Sequence, residues 1–388
     1  MVAGNAHRCV VQRSRVARIP WEISAGRIVV VVQSLPRLDQ LGNPNVLEEM
    51  LEKPNVSEAN IRSCLVEHYG LATAQIVFLP IGADKDTAVY RVIAQDRTVY
   101  FLKLRRGDAP DTPAVLAKLL SDQGVKQTIA PIETIEQRPT SSFERYRLVL
   151  FPFVEGRSGF DVELSDRNWA DLGIGLRAIH SVDVPPAILR QLQRETYSAH
   201  WREIVKAVLV WTDEDTVDPT AAKLAEFLRA KHDEILNIVD KAERLGTGLQ
   251  GRSTEFVLCH ADIHAGNVLI DAKDDLYIVD WDTAILAPKE RDLMFVGGGV
   301  GGIWNKAEDE ALFYQGYGQT KTDQAAIAYY RYERIVEDIA VTSQQIRSTD
   351  MGRDDREEGL RQLTRQFAPN DVVEMAHRTE DRLESRPA

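Results

Sequence analysis

The sequence predicts an α+β fold in two lobes, an antiparallel sheet lobe followed by a mainly helical one. Three observations carry this reading. Short strand-like runs separated by turns fill the first third, apolar positions at three- and four-residue spacing fill the remainder, and a single hairpin interrupts the helices. At 388 residues the chain is long enough for two such bodies.

The first 49 residues stand apart. Residues 1–38 hold six arginines against one acid, Glu22, and the apolar run Ile28–Val32 is too short for a secretory core. Residues 1–49 are therefore read as a poorly ordered extension. Residues 50–150 make the first lobe. From Ser57 a helix is expected, with Ile61, Cys64, Leu65 and Tyr69 on one face and Gly70 as its stop. Strands are expected at Gln75–Leu79, Ala88–Ile93 and Val99–Leu104, with the loop Pro80–Thr87 between the first two. A short helix, Ala114–Ser121, follows Pro113. The apolar run Leu148–Val154 leads into a connector at residues 151–156. Residues 157–388 form the helical lobe: Trp169, Leu172, Leu176 and Ile179 share one helix face, and Ile327, Ile335 and Ile339 mark a long helix near the end.

Bulk properties narrow the function. The net charge of −12 argues against a nucleic-acid partner and suits a cationic small molecule. No apolar stretch is long enough to span a membrane. Three cysteines, Cys9, Cys64 and Cys259, form no CxxC pair, so neither a disulfide framework nor a zinc site is expected. A cytoplasmic protein, monomeric or weakly dimeric, is the simplest expectation.

The hairpin carries the chemistry. It opens with Leu258-Cys259-His260-Ala261-Asp262-Ile263-His264-Ala265-Gly266-Asn267, continues through Val268–Ile270 and a polar turn, and returns along Tyr277–Asp280. With arms of equal length Ile270 faces Tyr277, which sets Asn267 opposite Asp280 at the open end. An amide oxygen and a carboxylate meeting there suit Mg²⁺, a hard ion that takes few protein ligands when phosphates supply the rest. Asp262 stays free to receive an attacking hydroxyl. His-x-Asp-x-x-x-x-Asn, an apolar strand and then Asp is the arrangement of kinase-type phosphate transfer.

The segment resembles the catalytic region of the aminoglycoside phosphotransferases, whose pattern is His-Gly-Asp-x-His-x-Gly-Asn. The stretch Ile278-Val279-Asp280-Trp281-Asp282 through Ala287-Pro288-Lys289-Glu290-Arg291-Asp292-Leu293 is similar in particular to the spectinomycin phosphotransferases. The resemblance spans Met50 to about Val373 and implies a protein-kinase-like fold with ATP, or alternatively GTP, and Mg²⁺ as cofactors. It makes Asp262 catalytic, Asn267 and Asp280 metal ligands, and Asp292 a buttress of the catalytic loop. His264 occupies the place of a phosphate-contacting lysine. Lys103, at the end of Tyr100-Phe101-Leu102-Lys103, is implied to hold the α/β-phosphates, under the loop 81–87. Phe151–Gly156 matches the linker that cradles the base, with the Pro152 carbonyl and the Val154 N–H facing adenine. The helix after Lys103 departs from the kinase pattern: it has no glutamate for the lysine, only Asp111 and Asp122.

Other readings stay in view. His260 is expected to hold the loop and Cys259 to be core. Asp282, Trp304, Glu333 and Glu337 are candidate substrate contacts. Gly297-x-Gly299-x-x-Gly302 after the apolar run Leu293–Val296 raises an NAD-dependent oxidoreductase, and His260, Asp262 and His264 raise a metal-dependent hydrolase. The preferred acceptor is an aminocyclitol such as spectinomycin; the alternative is a metabolic alcohol such as choline, homoserine or methylthioribose.

Overall fold

The computed structural model describes residues 53, 56–79, 87–107, 109–210, 218–348 and 352–384. The extension 1–49 and most of the loop expected over the phosphates lie outside the described residues.

The first lobe opens with α1 (Glu58–Tyr69), closed by Gly70 in the left-handed region at φ 63°. A five-stranded antiparallel sheet follows: β1 (Thr73–Leu79), β2 (Thr87–Ala94), β3 (Val99–Arg106), then α2 (Thr112–Asp122), β4 (Ser141–Phe143) and β5 (Tyr146–Pro152), in the order β1-β2-β3-β5-β4. Side chains alternate across the sheet. Tyr90, Leu102, Leu104, Leu148 and Leu150 pack on Ile61 and Leu65 of α1. Their neighbours Phe101, Lys103, Arg105, Val149 and Phe151 face the other way, into the cleft between the lobes. Each buried leucine adds about 1.5–3 kcal/mol, so one face of every strand is committed to the core and the other is left for function.

The connector continues into β6 (Gly156–Ser158). The second lobe then runs α3 (Asp166–His180), α4 (Pro186–Leu189), β7 (Gln193–Arg194), α5 (His200–Val210), α6 (Pro219–Ala230), α7 (His232–Leu249), β8 (Val257–Cys259), β9 (Val268–Asp271), β10 (Leu276–Ile278), β11 (Ile285–Ala287), α8 (Glu290–Leu293), α9 (Ala307–Tyr317), α10 (Gln324–Arg347), α11 (Arg353–Arg365) and α12 (Val372–Glu384). No helix among the described residues is long and apolar enough to cross a membrane. β6 pairs with β9, tying the connector to the functional hairpin. Helices α3 and α9 cross closely because both offer glycine: a Cβ at Gly316 would lie 1.9 Å from the Ala170 carbonyl oxygen. That crossing places Tyr317 beside His180, a contact the site depends on.

Two expectations are corrected. The hairpin register is one residue off the equal-arm reading: Leu276 faces Ile270 and Ile278 faces Val268. The turn is tighter than expected, because Asp271 N–H donates to the Asp275 carbonyl and Asp274 adopts φ 65°. Val279, whose N–H donates to the Asn267 carbonyl, therefore stands opposite Asn267. Asp280 leaves the ladder in a left-handed conformation, φ 66° and ψ 76°. The second correction concerns Leu293–Val296. It is the end of α8 and a buried turn, not a strand, so the glycines after it have no dinucleotide-binding unit to open.

Candidate active site

A cavity of about 480 Å³ lies between the lobes, with Lys103, Phe101, Phe151 and Pro152 on the sheet side and Asn267, Ile278, Asp280 and Asp282 on the other. Phe101, Phe151, Ile129 and Ile278 make an apolar slot near the connector, and the charged groups gather beyond it. Pro152 lines the slot. The Val154 side chain is buried with Leu269 against Phe101 and does not line the cavity.

Lys103 settles the missing-glutamate question. Its Nζ donates to Asp280 Oδ1 at 2.9 Å and to Asp282 Oδ2 at 2.7 Å. Asp282 stands at the start of the segment after β10 and also receives Arg105 at 3.2 Å. The two acids of the α2 region are engaged elsewhere, Asp122 with Lys118 and Asp111 with Thr140. Burial works against the lysine's charge, but the two carboxylates outweigh it and raise its pKa. Burial likewise opposes ionisation of Asp280, and Lys103 holds its carboxyl below the usual range. Asp282 is pushed up, by burial and by the charge of Asp280.

The loop that opens with His260 hangs from Asp292, which is fully buried. Its Oδ2 accepts from His260 N–H at 2.9 Å and its Oδ1 from Ala261 N–H at 2.6 Å. His180 Nε2 donates to the same carboxylate at 2.9 Å, and Tyr317 is bonded to His180 Nδ1 at 2.8 Å. Burial alone disfavours the Asp292 anion; His180 and these backbone donors more than offset it and lower its pKa. Ala261 takes φ 67°, where the resembled pattern has glycine. This left-handed step turns the next residue, Asp262, off the line of β8.

Asp262 is ringed by donors. Asn267 Nδ2 donates to its carbonyl at 2.8 Å and to Oδ2 at 3.2 Å, and His264 Nε2 lies 3.5 Å from Oδ2. Arg334 Nη1, from α10, reaches Oδ1 at 2.5 Å. Burial raises this carboxyl's pKa, but Arg334 and His264 overcome that and hold it far below the ordinary range. His264 Nδ1 accepts from Gly266 N–H at 3.0 Å, which fixes the proton of the neutral ring on Nε2. His264 is thus a donor aimed at Asp262. His260 is structural: Nδ1 accepts from Asp262 N–H and Nε2 donates to the Val279 carbonyl at 3.0 Å. The His260, Asp262 and His264 hydrolase reading fails because those nitrogens are spent in different directions. Asn267 commits its amide nitrogen to Asp262 and leaves its amide oxygen as a hard ligand in the wall that Asp280 also lines. This donor set fits Mg²⁺.

The model of a phosphotransferase enzyme family matches residues 77–331. The chain belongs to that family. Among solved structures, the spectinomycin phosphotransferase APH(9)-Ia in complex with ADP and spectinomycin is 38% identical, covering 84% of this chain and 99% of that one, with a TM-score of 0.79. The AMP-bound complex of the same enzyme gives 37%, the same coverage and 0.76. An amicoumacin kinase with AMP-PNP, Ca²⁺ and Ami shares the fold at 15% identity and a TM-score of 0.56, over 83% of this chain and 97% of that one. No curated protein matches the chain. The protein is a phosphotransferase acting on hydroxyl groups, with a kinase-like two-lobe fold and nucleotide-using relatives.

In this phosphotransferase the outlying candidates divide. Asp282 anchors Lys103 and Arg105, so its carboxylate is occupied on the nucleotide side of the cleft. Trp304 is buried against Trp169, ring centroids 5.0 Å apart, and is packing. Glu333 is buried and ion-paired with Arg202, whose second nitrogen donates to the Tyr197 carbonyl. Burial pushes its carboxyl up to about 7 against the pull of Arg202. Glu337 differs: it is part-exposed, 3.8 Å from Arg291, and its charge is felt at Asp262 and Arg334. Removing one member of a buried pair leaves the other uncompensated, at about 3–5 kcal/mol. Glu333→Gln is therefore expected to lose about 3 kcal/mol in urea unfolding with acceptor KM unchanged. A raised KM at intact stability would return Glu333 to the substrate site.

Arg334 and Asp282's hold on Lys103 were not visible in the sequence. Arg334 lies 72 positions from Asp262, and Asp282 lies 179 from Lys103. The only available hint was the charge density of α10, where Arg334 and Asp338 stand one turn apart.

Proposed function

We propose that this phosphotransferase moves the γ-phosphate of ATP, bound with Mg²⁺, to a hydroxyl of a cationic aminocyclitol of the spectinomycin type. The observation that carries the reading is the convergence of Lys103, Asn267 and Asp280 on one cavity with Asp262 hydrogen-bonded to its wall. The relative solved with ADP and spectinomycin, matched over nearly its whole length, supports the acceptor class.

Adenine fits the apolar slot beside Pro152, and Lys103 meets the phosphates. Asn267 and Asp280 would hold the metal, which neutralises phosphate charge when bound. Asp262 accepts the hydrogen bond of the acceptor hydroxyl and aims its oxygen. That oxygen bonds to the γ-phosphorus as the bond to the β–γ bridging oxygen breaks; the electron pair leaves with ADP, and the hydroxyl proton passes to Asp262 and from it to water. His264, whose Nε2–H points at Asp262 Oδ2 in this structure, would turn that proton toward the transferred group once nucleotide is bound. Catalysis is chiefly positioning and charge neutralisation. Glu337, part-exposed and within electrostatic reach of Asp262, suits an acceptor ammonium. We place the enzyme in the cytoplasm, where ATP and drug meet, as a monomer or weak dimer.

The test is transfer from labelled ATP to spectinomycin, compared with kanamycin, choline and homoserine. Phosphorylation of spectinomycin above the others is expected. Transfer to choline or homoserine, with none to either antibiotic, would replace the acceptor and leave the phosphotransferase standing.

A further inference from the structure

Asp262 is flanked unequally. On one side Arg334 reaches Oδ1 at 2.5 Å, and its other end is fixed, with Nε donating to Asp338 Oδ1 at 2.9 Å. Asp338 is held in turn, because its Oδ2 accepts from Gln366 Nε2 at 2.8 Å. The guanidinium also lies 5.8 Å from the centroid of the Phe295 ring. A planar fork fastened at two points has little freedom to follow a substrate, but it fixes whatever carboxylate it holds. On the other side, among the described residues, Oδ2 takes the longer contacts with Asn267 at 3.2 Å and His264 at 3.5 Å. That oxygen faces the residue that lines the nucleotide cavity.

We propose that Arg334 is the positioning residue of the catalytic aspartate, locking Oδ1 so that the acceptor hydroxyl is received on Oδ2, beside His264 and Asn267. The same contact gives Arg334 a part in selectivity. An ammonium drawn to Asp262 also meets the positive charge of Arg334, which offsets part of the carboxylate's pull. The carboxylate is thereby reserved for a neutral hydroxyl, and acceptor amines are left to Glu337. This rests on Asp262 being the group that receives the hydroxyl and not on which alcohol supplies it.

The experiment is a four-variant cycle: wild type, Arg334→Met, Asp262→Asn and the double variant, with Arg334→Lys as the conservative check. Steady-state transfer to spectinomycin is read alongside thermal unfolding. Arg334→Met is expected to lower kcat by about tenfold or more with KM for ATP within about twofold, because it removes orientation and not nucleotide binding. Arg334→Lys should regain part of the loss, since an ammonium has no fixed fork for Asp262 and Asp338 together. In the Asp262→Asn background the same Arg334→Met change should cost less than about twofold, since Arg334 acts through the missing carboxylate. An equal loss in both backgrounds, or an unchanged kcat in Arg334→Met, would overturn the proposal. If wild type transfers nothing to spectinomycin, the cycle is read on ATP turnover to water, so failure of the acceptor reading and failure of this one remain separate results.

Discussion

Asp262→Asn is expected to lower kcat by roughly a hundredfold or more, the size of a hydroxyl-orienting or general-base contribution, with nucleotide affinity nearly unchanged. The substitution keeps the shape of the side chain and removes its charge and one acceptor atom. Two ring or amide donors and a guanidinium converge on this carboxylate. An amide NH₂ placed toward Arg334 sets donor against donor, and placed toward Asn267 it withdraws the atom that receives the acceptor. Either orientation disables one side of the site. The nucleotide contacts through Lys103 and the apolar slot lie elsewhere in the cavity and keep their geometry. Steady-state kcat and KM for both substrates check this; a loss expressed only as a raised KM for ATP would contradict it.

Asp280→Ala should abolish Mg²⁺-dependent turnover, a drop of about a thousandfold, in the range of losing a principal electrostatic contributor. It removes a carboxylate from the proposed metal site and one of the two partners of Lys103, which keeps Asp282. The position also imposes a backbone demand. Asp280 stands at φ 66°, and alanine there meets a left-handed penalty of about 1–2 kcal/mol. Asp280→Asn, which tolerates that region better, separates the two effects. It should keep stability and still lose turnover at every Mg²⁺ concentration tried. Near-normal turnover in the asparagine variant would remove Asp280 from the metal site.

Much of this site was legible because it is local. Asp262, Asn267 and Asp280 fall on one hairpin, and Asp292 follows within the same stretch, so spacing alone brings them into view. The strands of the sheet were legible for a similar reason: alternation marks Tyr90, Leu102 and Leu104 for the core and Phe101 and Lys103 for the cleft. The register was misjudged because it turns on one left-handed residue, Asp274, which composition does not reveal. Partners distant in sequence were out of reach. Glu333 looked like an open carboxylate on a helix face until α5 laid Arg202 against it, and Asp282 was a candidate substrate contact until β3 delivered Lys103 and Arg105. His180 and Tyr317, which hold Asp292, owe their meeting to two glycine-lined helices and leave no motif.

The anchoring of Lys103 carries one more consequence. In regulated protein kinases the corresponding lysine is paired with a glutamate on a helix whose position is under control, and moving that helix turns the enzyme on or off. Here both partners of Lys103 belong to the second lobe, on the segment that follows β10, and α2 offers the lysine no acid. Swinging α2 outward would break no catalytic ion pair. Among the described residues that lever is missing: both ion pairs of Lys103 stay whole wherever α2 moves.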